Sequence, residues 1–237
     1  MHSVILQGNE MFKDAGFDYA ICGGFALDMF AGKELRDHGD FDIMVFQEDK
    51  ASVLQFIKEK GWRSFGRFME EGRPITQHIF FEVEDITNDY WADCSNFWSV
   101  KDDCLGDVLH KLDRLQAIGD VYTYQSRKWH VLDKLEFIEF EFDMRQGNNY
   151  VLKKDPEIVR PMDKAILYRD GIPYLAPEII LFFKSDKFSS EHPQVKIKTA
   201  SDFNAIMPLL PEESKQWLKN AIATVYPDGY EWLDGLL

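Results

Sequence analysis

The chain has 237 residues, enough for one large domain or two small ones with a real hydrophobic core. Its formal net charge of -14 repels a nucleic-acid backbone and argues against a polynucleotide partner, while remaining compatible with a cationic small substrate. No stretch has the length and apolarity of a membrane span, and residues 1–10 lack a basic region followed by an apolar core, so no membrane association and a cytoplasmic location are expected.

In chain order, Val4, Ile5, Leu6, Met11 and Phe12 fall at helical spacing and predict a first helix over residues 4–15. Tyr19-Ala20-Ile21-Cys22 reads as a short strand that stops at Gly23-Gly24. Cys22 lies in this apolar run and reads as a small core residue. A helix over residues 25–30 follows, closed by Gly32. Residues 41–46 predict the next strand, residues 49–60 an amphipathic helix closed by Gly61, and residues 63–69 and 76–83 two more strands.

Residues 85–120 are rich in Asp, Trp and Cys, and within them 105–115 suits helix or strand equally. Cys94 and Cys104 have no His or Cys partner at zinc-site spacing, and with Cys22 they make no disulfide framework. Trp91, Trp98 and Trp129 suit core packing better than stacking on a ligand. Strands are expected again at residues 121–124 and 130–143. The run from Phe137 alternates, placing Glu139, Glu141 and Asp143 on one face and Phe140 and Phe142 on the other. From Pro177 the pattern is helical, over residues 177–188, about 199–207 and 211–225. The resulting class is α/β (α+β): a mixed β-sheet flanked by helices, followed by a helical C-terminal part.

The residues that carry chemistry lie between Gly23 and Asp42. A strand ending in two glycines and feeding a helix lets the backbone approach a phosphate, and the helix N-terminus favours an anion. Further on, Asp40 and Asp42 stand two apart at the start of a strand, which puts both carboxylates on one face. Their mutual repulsion is relieved by a divalent cation, and Mg²⁺ takes carboxylate and phosphate oxygens. Two such ions about 3.5–4 Å apart clamp the attacking and leaving oxygens of an in-line displacement. A third carboxylate is expected from another strand, with Glu139 the first choice and Glu141 the second; one of them could act as a general base.

The pattern Gly23-Gly24-Phe25-Ala26-Leu27-Asp28, then Gly32, Arg36, His38, Asp40 and Asp42, resembles the antibiotic nucleotidyltransferases. These are the aminoglycoside 2''-adenylyltransferases and the lincosamide nucleotidyltransferases of the polymerase-β-like superfamily. A second segment is similar to the family's helical part: Gly171-Ile172-Pro173-Tyr174-Leu175-Ala176-Pro177-Glu178, then Leu181, Lys184, Lys198, Asp202 and Phe203. The resemblance covers about residues 10–84 and 130–210. It implies a nucleotidyltransferase fold, with a catalytic domain over residues 1–170, an added segment at about 85–130, and a helical C-terminal subdomain over 171–237.

The resemblance also implies an adenylyltransferase-like activity. A nucleoside monophosphate passes from ATP or another nucleoside triphosphate to a hydroxyl of a small molecule, and pyrophosphate is released. Aminoglycoside and lincosamide antibiotics are among the acceptors it suggests. Asp40 and Asp42 would hold Mg²⁺, Gly23 and Gly24 would cradle the triphosphate, and Lys184 would meet phosphate oxygens. Many superfamily members carry a Ser after the first glycine; here Gly24 and Phe25 stand there, as in the antibiotic-type subgroup.

Several residues keep two readings. Arg36 suits a phosphate contact or a salt bridge to Asp37, Asp40 or Asp28. His38 suits local packing better than positioning a metal ligand. Asp28 suits hydrogen bonding to the Arg36–Asp42 loop better than metal binding. Lys184 and Lys187 form a basic patch or pair with nearby acids, and Lys198 and Asp202, four apart, suit a helical ion pair. Thr199, three residues before Asp202, suggests a helix start. A second function class stays open: a non-catalytic nucleotide-binding or regulatory protein that retains the fold.

Overall fold

The computed structural model describes residues 1–68, 79–86, 96–112, 121–124, 134–186, 193–229 and 235. Expectations for Lys187, Trp91, Cys94 and Trp129, and for parts of the strands at 76–83 and 130–143, lie outside these residues. Among the described residues no helix is long and apolar enough to cross a membrane.

The elements in order are α1 (Ser3–Phe12), β1 (Tyr19–Ile21), α2 (Gly23–Ala31), β2 (Asp42–Phe46), α3 (Lys50–Glu59), β3 (Trp62–Phe68), β4 (Ile79–Glu82) and β5 (Asn96–Lys101). Then come α4 (Leu105–Val108), β6 (Leu109–Leu112), β7 (Val121–Tyr124), β8 (Phe137–Gln146), β9 (Asn149–Val151) and β10 (Val159–Pro161). The chain finishes with α5 (Met162–Ala165), β11 (Ile166–Arg169), β12 (Ile172–Leu175), α6 (Pro177–Lys184), α7 (Pro193–Ile206) and α8 (Glu212–Val225). A mixed sheet with flanking helices and a helical C-terminal part is therefore what the chain forms. The chain divides into two compact units: Ala20–Asp37 with Met144–Leu237 and Met1, and His2–Tyr19 with His38–Asp143.

In the His2–Tyr19 and His38–Asp143 unit, β2 lies parallel to β8, and β5, β3, β4, β7 and β6 continue antiparallel. One face of this sheet is aromatic. Phe12 of α1 meets Phe140 of β8 edge-on at 5.8 Å and Phe56 of α3 at 5.7 Å, and Phe97 meets Phe142 at 5.3 Å. Each such pair adds about 0.5–1.5 kcal/mol beyond its area burial. α1 packs closely because Gly8 has no side chain: a Cβ there would lie 2.4 Å from the Phe41 ring. The opposite face carries a second core of Phe65, Phe80, Trp98, Val100, Tyr122 and Phe137.

β5 lies within the stretch 85–130 that the sequence sets apart as an added segment, yet it sits between β3 and β8. Residues 105–115, equally suited to helix and strand, begin as both: one turn of α4 passes directly into β6.

In the other unit, β1 pairs in parallel with β12, which pairs antiparallel with β11. The β11–β12 hairpin turns on Asp170 and Gly171, both with positive φ (52° and 79°), the backbone that a two-residue type I′ turn needs. The C-terminal residues of β8 pair with β9, and β9 with β10. The short strands β9 to β12 were not expected from the sequence. α6 starts with Pro177 in its first turn, as expected. α7 begins at Pro193, so Thr199 is a buried residue inside the helix and does not start it.

Candidate functional site

Each unit holds one group of charged side chains drawn largely from the residues singled out in the sequence. In the sheet unit, Asp42 opens β2 and Asp40 stands two residues before it. The parallel register sets Asp42 opposite Glu139, Met44 opposite Glu141 and Phe46 opposite Asp143. Register partners share a face, so Asp42, Glu139, Glu141 and Asp143 project to one side while Phe140 and Phe142 pack on the other. The Glu139 backbone N–H donates to the Phe41 carbonyl at 3.0 Å, fixing this register. On the far side of β8, Trp98 lies opposite Glu139 and Asn96 opposite Glu141. The Asn96 Nδ2 donates to Glu139 Oε1 at 3.1 Å.

Both glutamates keep some surface, but protein encloses their carboxyls densely enough to dominate their titration. Burial raises Glu139; Asp40 adds to the rise, while Arg67 and the Asn96 amide oppose it. Glu141 is pushed well above the ordinary carboxylate range, first by burial and then by Glu139, Asp143 and Asp42, against the pull of Arg67. Arg67 was not singled out in the sequence. It lies two residues along β3 from Phe65, which pairs with Trp98, so it shares the carboxylate face. Period-two alternation in β3 shows which residues Arg67 accompanies, but which strands flank β3 is a non-local fact.

No group of three or more His, Cys, Asp or Glu side chains stands in a metal-holding arrangement among the described residues. The donor set still suits Mg²⁺: hard carboxylate oxygens in like-charged proximity, of which the ion needs only one or two when substrate phosphates complete its shell. His38 is buried and meets the His2 ring edge-on at 6.4 Å, in keeping with a packing role.

In the other unit, Gly23 and Gly24 form the first turn of α2 and do not precede it. Gly23 has φ of 61°, which favours glycine, and Cys22 at the N-cap makes no side-chain capping bond. Asp28 Oδ1 accepts the Leu35 backbone N–H at 3.0 Å, holding the loop after α2. Arg36 has a partner the sequence did not offer. Its Nε and Nη2 donate to the two Asp202 carboxylate oxygens at 2.9 and 3.3 Å, and its Nη1 donates to the Asp37 carbonyl at 3.0 Å. Lys184 Nζ lies 3.0 Å from Asp202 Oδ2. Asp202 is thus held by Arg36 and Lys184 and not by Lys198, four residues earlier on the same helix. Burial would raise the Asp202 carboxyl, but Lys184 and Arg36 outweigh it and hold it below the ordinary range.

A second buried pair stiffens this unit. Arg160 Nη2 donates to Glu178 Oε1 at 2.6 Å and lies 3.1 Å from Ser214 Oγ, which itself donates to Glu178 at 2.8 Å. These contacts tie β10 to α6 and α8.

Residues 4–104 match the family model for Aminoglycoside-2''-adenylyltransferase. The matched stretch carries Gly23, Gly24, Arg36, Asp40 and Asp42, so the resemblance to this adenylyltransferase family is borne out there. It ends before Glu139, Glu141 and Lys184. Among solved structures, the crystal structure of ANT(2'')-Ia in complex with adenylyl-2''-tobramycin is similar at a TM-score of 0.49 and 14% identity, over 93% of this chain and 94% of that one. The lincomycin-bound lincosamide antibiotic adenylyltransferase LnuA is similar at 0.42 and 13%, over 92% and 93%. No curated protein matches the chain.

Proposed function

We propose that the protein is a metal-dependent nucleotidyltransferase that moves a nucleoside monophosphate, from ATP or another nucleoside triphosphate, to a hydroxyl of a small molecule. The observation that carries the reading is the β2–β8 register, which sets Asp42 opposite Glu139 on a face shared with Glu141. An acidic face of this kind, with carboxyls raised by burial and by one another, gains stability when a divalent cation neutralises it. Asp40 and Asp42 would hold Mg²⁺, with Glu139, and Glu141 after it, as the further carboxylates. The bound ion would supply charge stabilisation to the phosphoryl oxygens during in-line displacement.

The chain's own groups have separate tasks. The acceptor hydroxyl oxygen bonds to the α-phosphorus, the bond from that phosphorus to the pyrophosphate oxygen breaks, and the hydroxyl proton passes to a carboxylate. Glu139 suits the last task because burial raises its affinity for a proton. Gly23 and Gly24 at the start of α2 would receive the triphosphate, and Arg36 and Lys184 would meet its oxygens. The acidic net charge favours a cationic acceptor, and aminoglycoside and lincosamide antibiotics are the first to try.

The test incubates the protein with Mg²⁺, each triphosphate in turn and a panel of aminoglycosides, lincosamides and hydroxylated metabolites, and follows pyrophosphate. Release that needs an acceptor and disappears in Asp42→Asn supports the enzyme. Nucleotide binding without release under any pairing would instead identify a non-catalytic nucleotide-binding protein.

A further inference from the structure

Asp202 is 2% exposed, yet it holds two cations that each keep about a fifth of their surface open: Arg36 at 18% and Lys184 at 20%. The three side chains come from separate elements: the loop after α2, α6 and α7. The Arg36 fork meets both oxygens of the carboxylate, which fixes the guanidinium plane, and Lys184 shares one of those oxygens. Asp202 thus contacts cations brought by two other elements at once.

Resting on the nucleotidyltransferase reading, we propose that Asp202 is a positioning residue: it holds Arg36 and Lys184 as a single preset pair that receives the triphosphate oxygens. The entropy of ordering two long side chains is then met in the free protein, not at binding. The proposal separates cleanly from a charge-balancing role. If Asp202 merely offsets excess positive charge, removing its charge strengthens anion binding. If it positions, removal weakens binding, although the site becomes more positive.

The experiment measures equilibrium binding of ATP with Mg²⁺, and of adenosine, to the full chain and to Asp202→Asn and Asp202→Glu, with Tm recorded for each. Asn keeps the side-chain shape without the charge; Glu keeps the charge but shifts it by one methylene. Both variants should bind ATP about tenfold more weakly, the scale of one lost charge-assisted hydrogen bond, with adenosine binding unchanged. Unchanged or tighter ATP binding by either folded variant overturns the proposal, as does an equal loss for adenosine, which marks general damage. If Asp202→Asn does not fold, the Glu variant decides alone. If the unaltered protein binds no triphosphate at all, the nucleotidyltransferase reading itself fails, a result distinct from failure of the positioning role.

Discussion

The β2–β8 acidic face and the group around Asp202 are built on opposite plans. On the β2–β8 face, acids outnumber cations: Glu139, Glu141, Asp143 and Asp42 share a surface with Arg67, and the glutamate carboxyls are raised. Around Asp202, two cations, Lys184 and Arg36, meet the one carboxyl, and it is lowered. Both carboxyl groups are crowded by protein, so burial acts in the same direction on each. For Glu139 burial outweighs the pull of Arg67 and Asn96, for Glu141 the surrounding acids add to burial, and for Asp202 the two cations reverse it. The acidic face is of the kind that suits a cation, and the group around Asp202 of the kind that suits an anion.

The sharpest way to break this comparison is to remove one member of the acidic face. Asp42→Asn should lower turnover by roughly 100- to 1,000-fold, the scale of losing one electrostatic stabiliser, without lowering Tm. Lost activity together with a lower Tm would make Asp42 structural. The largest stability effect belongs to the other unit. Glu178→Ala removes the buried carboxylate from Arg160, leaves it only the exposed Glu213, and should cost about 3–5 kcal/mol in denaturant unfolding.

A smaller effect of opposite sign tests the acidic surplus. Glu141→Gln removes a carboxyl that its neighbours repel, so with chelator present it should raise Tm by a few degrees, roughly the shift from 1 kcal/mol in a chain of this size. A fall in Tm would mean that the acids are already compensated. The gentlest test is the pH response of Asp202. Its folded carboxyl titrates below the unfolded one, so its contribution is present above the unfolded range and is lost as pH falls through the lowered folded value. The Tm difference between the unaltered protein and Asp202→Asn should therefore hold at neutral pH and shrink in acid below the ordinary carboxylate range.

Much of the carboxylate face was legible because its signals are local. Asp40 and Asp42 stand at the start of an apolar strand, and the Phe137–Asp143 alternation sorts acids from aromatics without any knowledge of neighbours. The hairpins that turn at Asp170-Gly171 and Gly147-Asn148 went unread, because the strands around them are so short that their periodicity is weak. β5 went unread because its six residues lie in a stretch of mixed Asp, Trp and Cys, and nothing local says that both of its edges are paired. The Asp202 pairing was misread for a related reason. Lys198 offers a partner at helical spacing, whereas Arg36 is 166 positions away in the chain.

By itself, the sequence determined which residues could do chemistry and which side of their own strand or helix they occupy, since the backbone repeats of two and 3.6 residues are intrinsic. Only the tertiary structure decided their companions: Glu139 for Asp42, Arg67 for the glutamates, Arg36 and Lys184 for Asp202. Register and helix packing depend on burying apolar faces contributed by distant segments, so a carboxyl's neighbours, and with them its charge state, exist only once the chain has folded.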